Sequence, residues 1–153
     1  MKVRDIMSAN IQAGRPDSDL AAIAKLMWDH DCGFVPIVDA AGHLAGTITD
    51  RDICVATATR RRLPEHIAAA EVMKGPVRAV LADESVSAAL ELMKKHQVRR
   101  LPVIDDSGRL QGILSMNDVV VAAEKHNKAL PAGEIVATMA AICAHRPVVA
   151  TAA

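Results

Sequence analysis

The amino-acid sequence predicts an α+β protein in which one structural unit occurs twice and an extra helix follows near the C-terminal end. The first observation is an internal repeat: a shift of 66 positions superposes residues 5–53 on residues 71–119 without a gap. The second is that apolar residues at helical spacing alternate with β-rich runs in each copy. The third is length, since 153 residues divide into halves too small to bury separate cores comfortably. We therefore expect two copies that pack together.

The repeat depends on identities that are spread along the whole copy rather than on one motif. They are Met7, Asp17, Leu26, Met27, His30, Pro36, Asp39, Gly42, Gly46 and Asp52, which recur as Met73, Asp83, Leu92, Met93, His96, Pro102, Asp105, Gly108, Gly112 and Asp118. Turn residues and core residues keep a single register, which indicates a duplication.

Each copy is predicted to begin with a short helical turn and a brief extended segment, and then to form a helix. The turns are expected at 5–7 and 71–73, and the extended segments at 11–13 and 77–79. The helices are expected at about 18–30 and 84–96. Their apolar residues fall at positions i, i+3, i+4 and i+7, namely Leu20, Ile23, Ala24 and Met27, and again Val86, Ala89, Leu90 and Met93.

A β-hairpin and a second helix complete each copy, so that the unit reads β-α-β-β-α. The first strand of the hairpin contains Pro36 or Pro102, and proline favours a strand start or edge because it cannot donate to a ladder. Gly42 and Gly108 belong to turn sequences. The predicted strands are 34–38, 100–104, 43–48 and 109–114, and the helices that follow are 49–60 and 115–128.

The remaining segments divide the chain into three parts. Residues 1–62 form the first repeat, 63–128 the second, and 129–153 a C-terminal helix and tail. The linker between the copies runs from about 60 to 66, the extra helix is predicted at 133–145, and a frayed tail at 148–153.

Composition and charge exclude several classes of function. Eighteen basic and eighteen acidic residues cancel, which argues against a dominant nucleic-acid footprint. No apolar run approaches the roughly 20 residues of a membrane-spanning helix, and the N-terminus lacks the apolar core of a secretory signal. The three cysteines and six histidines are scattered without metal-ligand spacing. We expect a cytoplasmic protein with reduced cysteines, no metal site and no membrane partner.

One motif, Gly-x-x-[Thr/Ser]-x-x-Asp, ends the hairpin of both copies as GTITDRD (46–52) and GILSMND (112–118). The structural interpretation is a helix cap, because a hydroxyl residue at the N-cap and an acid three residues later satisfy free backbone N–H groups. The functional interpretation uses the same groups: a helix N-terminus suits a phosphate, and the carboxylate suits the vicinal hydroxyls of a ribose. The motif alone leaves both interpretations open.

The duplicated β-α-β-β-α unit, the Pro-Ile-Val-Asp and Pro-Val-Ile-Asp strands and the two terminal motifs resemble tandem CBS domains over about residues 3 to 122. The resemblance implies two repeats packed about a pseudo-twofold axis, with clefts between them for adenosine-containing ligands. These ligands are AMP, ADP, ATP, S-adenosylmethionine or NAD. No catalytic cofactor is implied.

The resemblance also implies roles for individual residues. Asp52 and Asp118 match ribose-binding aspartates, and Thr49 and Ser115 match the hydroxyl residues beside ribose and phosphate. The second copy also has the basic pair that the family often places near the phosphates. The first copy has Gly33-Phe34 at these positions and lacks the pair, and Arg51 is a candidate to supply the missing positive charge. The further residues are Arg99 and Arg100 for phosphate, Asn10, Ile11, Pro76 and Val77 for the adenine edge, Val38 and Ile104 near the base, and Phe34 either stacked on a base or in the core.

The main functional hypothesis is a stand-alone regulatory module, not an enzyme, because no nucleophile–base set or paired-carboxylate motif is visible. Its output is expected to pass through an unknown effector protein or through a homodimer formed by the helices at 49–60 and 115–128. The second hypothesis is a ligand-free dimerisation or adaptor protein. The third is RNA or DNA binding through Arg60-Arg61-Arg62, which the scarcity of aromatic residues disfavours.

Overall fold

The computed structural model describes residues 1–126 and 128–145; the predicted frayed tail lies outside the described residues. The first repeat contains helix α1 (Leu20–Asp29), strands β1 (Phe34–Val38) and β2 (Leu44–Thr49), and helix α2 (Asp50–Arg60). The second repeat and the C-terminal segment contain β3 (Val80–Leu81), α3 (Val86–His96), β4 (Arg100–Ile104), β5 (Leu110–Ser115), α4 (Met116–Lys125) and α5 (Ala132–Cys143). Among the described residues, none of these helices has both the length and the apolar character that crossing a bilayer requires.

The two hairpins form the same structure in both repeats. Strand β1 pairs antiparallel with β2, and β4 pairs antiparallel with β5 in an equivalent register, including an irregularity at Ile37/Val38 and at Val103/Ile104. Gly42 and Gly108 in the hairpin turns have φ of 86° and 83°. Such positive angles favour glycine, because a side chain would be strained there. The predicted hairpins and their turns are confirmed.

The segment before the first helix of each copy joins the sheet three residues later than the sequence pattern predicts. The prediction of strands at 11–13 and 77–79 is wrong: the chain pairs with the hairpin only at Gly14, opposite Ile37, and at β3, which is parallel to β4. Gly14 fits because a Cβ atom there would lie 2.3 Å from the Ile23 side chain. The earlier residues do not follow the sheet edge, and Ile11 instead makes a local bond from its N–H to the Ala9 carbonyl.

The N-terminal segments of the two copies are exchanged between the cores. Val3 is fully buried in the core of the second repeat, where its N–H donates to the Glu84 carbonyl. In the same way Ile67 is buried in the core of the first repeat, and its carbonyl accepts from the N–H of Leu20. Each hydrophobic core therefore takes a residue from the N-terminal segment of the other repeat. The division of the chain into repeats at residues 62/63 remains a prediction. It does not coincide with a division between the two hydrophobic cores, because Val3 and Ile67 each lie in the core of the other repeat.

Backbone contacts between the repeats follow the pseudo-twofold relation. The N–H of Leu44 donates to the Gly108 carbonyl, and the N–H of Leu110 donates to the Gly42 carbonyl, each at 3.1 Å. Further out, Ser8 pairs with Ile113, and its equivalent Lys74 pairs with Thr47. The hairpin turns therefore meet near the axis, while the segments before each extended region lie against the opposite repeat's hairpin.

Helix α5 breaks the symmetry between the repeats. It packs on α3 and α4, and Ile135, Thr138 and the preceding Leu130 are buried. The side-chain amide of Gln97 donates to the carbonyls of Ala141 and Ala144 at 3.1 and 2.9 Å. In the first repeat the equivalent groove between α1 and α2 is open, and Trp28 on its rim is 86% exposed.

Candidate functional site

Both copies of the opening motif form helix caps with the same geometry. The Thr49 hydroxyl and N–H donate to Asp52 Oδ2 at 2.6 and 2.9 Å, and Thr49 Oγ1 accepts from the Asp52 N–H at 3.2 Å. Ser115 makes the equivalent bonds with Asp118 at 2.5, 2.7 and 3.3 Å. Each box uses one carboxylate oxygen of its aspartate, so the other oxygen, Oδ1, is left to face outward from the cap.

A cleft of about 360 Å³ lies beside Asp118 and brings together residues from both repeats. Six of the predicted ligand-binding residues line it: Asn10, Ile11, Phe34, Arg100, Ser115 and Asp118. The cleft also contains side chains that sequence reasoning did not select, namely Ser8, Gln12, His30, Asp31, Cys32, Ile113 and Asn117. An apolar wall, the carboxylates of Asp31 and Asp118, a guanidinium and a helix N-terminus therefore surround one cavity.

Backbone pairing explains why these distant residues meet. Ser8 and Ile113 exchange two N–H···O bonds of 3.0 Å, which carries the following residues Asn10 and Ile11 to the end of β5. Arg100 lies opposite Ser115 in the ladder between β4 and β5. Phe34 enters from the start of β1 in the first repeat. It is half-buried and belongs to the lining of the cleft and not to the buried core.

The surroundings of Asp52 differ from those of Asp118. A separate surface cavity of about 500 Å³ contains Arg51, Asp52 and Lys74, and Lys74 Nζ lies 2.5 Å from Asp52 Oδ1. Burial by itself would raise the pKa of Asp52. The hydrogen bonds from Lys74 and Thr49 and the positive charge of Lys74 outweigh burial, and the pKa is lowered from its ordinary value. Asp52 is therefore a carboxylate whose outward oxygen already has a cationic partner.

The other predicted residues take different positions. Val38 and Ile104 are at the far ends of β1 and β4, at the opposite end of each strand from Phe34 and Arg100. Arg99 is exposed, and its carbonyl accepts from the N–H of Met116. Pro76 is exposed and Val77 half-buried in the segment that follows Lys74. None of these five residues lines the cleft beside Asp118.

Ser8 and Lys74 are the most informative residues that sequence reasoning missed. They contact the two motif aspartates from the opposite repeat, Ser8 Oγ donating to Asp118 Oδ1 at 3.1 Å. A signal was available, because the 66-residue register that aligns Asp52 with Asp118 also aligns Ser8 with Lys74. Their importance was hidden because two unlike residues at equivalent positions do not stand out as a motif.

Two of the three linker arginines, Arg60 and Arg62, form ion pairs with Glu71. Arg60 Nη1 and Arg62 Nη1 lie 3.1 and 2.8 Å from Glu71 Oε2. The hydrogen bond from Arg62 lowers the pKa of Glu71, as does that from the Ala68 N–H. An acidic partner at the centre of this cluster reduces its attraction for a nucleic-acid phosphate. Within residues 1–126 and 128–145, no group of three or more histidine, cysteine, aspartate or glutamate residues is placed to hold a metal ion.

Comparison with known proteins identifies the family. The CBS domain model matches residues 3–58 and 69–125, so the chain belongs to the CBS domain family and contains two tandem copies. Hypoxic response protein 1 of Mycobacterium tuberculosis is 36% identical over 140 residues, which are 92% of each chain. The uncharacterized protein MK0525 of Methanopyrus kandleri is 32% identical over 120 residues, 78% of this chain and 61% of that protein.

Solved structures share the same fold. The crystal structure of Hypoxic Response Protein I with two coordinated zinc ions has a TM-score of 0.73 and 35% identity, covering 79% of this chain and 98% of that chain. The CBS domain pair of protein MJ0100, in complex with 5-methylthioadenosine and S-adenosyl-L-methionine, also has a TM-score of 0.73. It is 29% identical and covers 82% of this chain and 98% of that chain. The predicted CBS pair is confirmed as the fold.

Proposed function

We propose that this chain is a regulatory module that binds an adenosine-containing nucleotide between its two repeats. The observation that carries the proposal is the cleft beside Asp118, in which a capped carboxylate, Arg100 and the apolar side chains of Ile11 and Phe34 line one cavity. The MJ0100 domain pair, described with two adenosine derivatives, supports the same class of ligand. AMP, ADP, ATP, NAD and S-adenosylmethionine are the candidates.

Each part of such a ligand has a chemical counterpart in the cleft. Asp118 Oδ1 is an acceptor for ribose hydroxyls, since the cap occupies mainly Oδ2. The N-terminus of α4 and the Arg100 guanidinium favour a phosphate, because both present N–H donors and positive charge. Ile11 and Phe34 provide the apolar surface that a base prefers. These roles belong to binding, and the proposal assigns no catalytic step to the chain.

Calorimetric titration of nucleotide-free protein with AMP, ATP, NAD and S-adenosylmethionine tests this function, with GMP as the base-specificity control. Asp118→Ala is expected to abolish binding, and it also removes the bonds that Asp118 Oδ2 accepts from Ser115, at a cost of about 1 kcal/mol of stability. Ser85→Ala is the matched control. Ser85 caps α3 by accepting from the Ala88 N–H, and it does not line the Asp118 cleft, so that variant should lose comparable stability and keep its affinity. Binding that survives Asp118→Ala contradicts the proposed site.

We further propose that the signal passes through a homodimer in the cytoplasm, or through an effector protein that recognises the same surface. The helices expose apolar residues: Trp28 on α1, Val55 on α2, Val120 and Val121 on α4, and Val136 on α5. The unpaired state of Cys32, Cys54 and Cys143 suits a reducing compartment. Sedimentation velocity should give the mass of a dimer for the wild type and that of a monomer for a Val55→Asp/Val121→Asp variant.

The ligand-free adaptor is the second candidate function, because both capping boxes are complete without a ligand. It predicts that Asp118→Ala and Ser85→Ala behave alike: each lowers the melting temperature, and neither changes any nucleotide titration. The two functions are therefore separated by the same pair of variants.

A further inference from the structure

The two motif aspartates have different partners at the oxygen that faces away from the cap. Asp118 Oδ1 accepts a bond of 3.1 Å from the neutral hydroxyl of Ser8. Asp52 Oδ1 lies 2.5 Å from the ammonium nitrogen of Lys74. Ser8 and Lys74 are equivalent residues of the duplication, and each is anchored by a backbone pair with the opposite hairpin, at Ile113 and Thr47. The difference therefore comes from the side chain and not from the backbone.

The chemistry of the two partners has opposite consequences for a ribose. A serine hydroxyl both donates and accepts, and it can rotate to accommodate incoming hydroxyl groups. A lysine ammonium only donates, and its bond to a carboxylate adds the attraction between opposite charges, which a serine hydroxyl does not provide. Since the Asp52 side chain is only 10% exposed, a ribose would have to displace Lys74 to reach that oxygen.

We propose that the chain binds one nucleotide, in the Asp118 cleft, and that Lys74 closes the equivalent position at Asp52 against ribose. Lys74 is thus a residue that sets the stoichiometry, and Ser8 is its permissive counterpart. This inference rests on the proposed nucleotide-binding function and adds to it the number and location of the ligands. The duplicated motif alone does not say whether the chain has one nucleotide site or two. The different partners of Asp52 and Asp118 make the two positions unequal.

Reciprocal exchange of the two residues tests the proposal, with AMP as the probe in calorimetric titrations. The wild type is expected to bind one AMP per chain, and Asp118→Asn to remove that binding. Lys74→Ser should create a second site, and this second site should disappear in Lys74→Ser/Asp52→Asn. Ser8→Lys should weaken the Asp118 site by about tenfold or more, because the introduced ammonium can pair with Asp118 as Lys74 pairs with Asp52.

Several results would overturn the inference. Two sites of similar affinity in the wild type show that Lys74 does not exclude the ligand. Weaker binding or a lost site in Lys74→Ser shows that Lys74 contacts the phosphate instead of closing the cleft, and a stoichiometry that stays at one shows that another group closes it. A wild type that binds none of the nucleotides overturns the proposed function itself, and this result is distinct from the others. Ser8 and Lys74 are exposed, so the single variants should fold, which thermal unfolding verifies.

Discussion

At the scale of single residues, Asp52 shows how one partner changes the chemistry of a repeated motif. Its carboxylate has the same cap as Asp118 and is also bonded to Lys74. The hydrogen bonds and the charge of Lys74 hold the pKa of Asp52 below its ordinary value of 3.8, against the opposing effect of burial. A lowered folded-state pKa means that the ionised form stabilises the fold above pH 4 and that this contribution is lost as the pH falls through the folded-state pKa.

This linkage predicts how Lys74 affects acid stability. Replacing Lys74 with methionine removes a bond that favours the ionised Asp52, so the pKa of Asp52 should rise. The variant should then lose less stability than the wild type between pH 6 and pH 3, because less proton uptake accompanies its unfolding. Urea unfolding at several pH values measures this difference. Glu71, Asp39 and Asp105 also have lowered pKa values, but they are common to both proteins and cancel in the comparison. Parallel stability curves would contradict the prediction.

At the scale of secondary-structure elements, α5 contributes to the core of the second repeat although it lies outside the duplication. Ile135 is buried between α5 and its neighbours, whereas the adjacent Val136 is 67% exposed. The sequence predicts this helix at 133–145, and the structure has it at Ala132–Cys143. Its existence follows from local pattern, but its location on α3 and α4 depends on which repeat offers a groove within its reach.

The adjacent pair of residues provides a direct measurement of the contribution of α5. Ile135→Ala should reduce the free energy of unfolding by about 2–5 kcal/mol, the range for deleting a buried isoleucine side chain. Val136→Ala should change it by no more than about 0.5 kcal/mol, because exposed positions contribute little. Chemical denaturation of both variants tests this expectation. Similar losses for the two would mean that α5 does not pack through Ile135.

At the scale of the whole molecule, the exchanged N-terminal segments bind the repeats together. Val3 belongs to the first repeat by sequence yet is buried in the core of the second, and Ile67 belongs to the second yet is buried in the core of the first. Together with the paired hairpin turns, this exchange makes each half depend on the other. It resolves the difficulty that about 60 residues bury too small a fraction of their surface to be stable alone.

The exchange predicts that truncation of a side chain loosens the repeat distant in sequence. Val3→Ala should speed amide hydrogen exchange in α3 and β4 more than in α1 and β1, with a loss of about 1.5–3 kcal/mol from the buried side chain. Ile67→Ala should show the reverse pattern. Mass spectrometry of exchanged peptides distinguishes the two repeats. Faster exchange in the repeat to which each residue belongs by sequence would contradict this packing.

The site was only partly accessible to prediction. Asp118, Ser115, Arg100, Asn10, Ile11 and Phe34 were selected from the family resemblance, and the structure brings all six to one cleft. Val38 and Ile104 were expected near the base but lie at the opposite ends of their strands from Phe34 and Arg100. The end of the strand that faces the cleft depends on how the repeats pair, which residue types within one copy do not specify.

The sequence by itself determined the duplication, the order of elements within each copy, the turns at Gly42 and Gly108, and the caps at Thr49 and Ser115. These features depend on contacts between residues near one another in the chain, so residue type and spacing are sufficient to specify them. Only the tertiary structure decided that Ser8 and Lys74 face Asp118 and Asp52, that Val3 and Ile67 exchange cores, and that α5 covers one repeat. Those contacts join residues far apart in sequence, and packing between the two copies selects them.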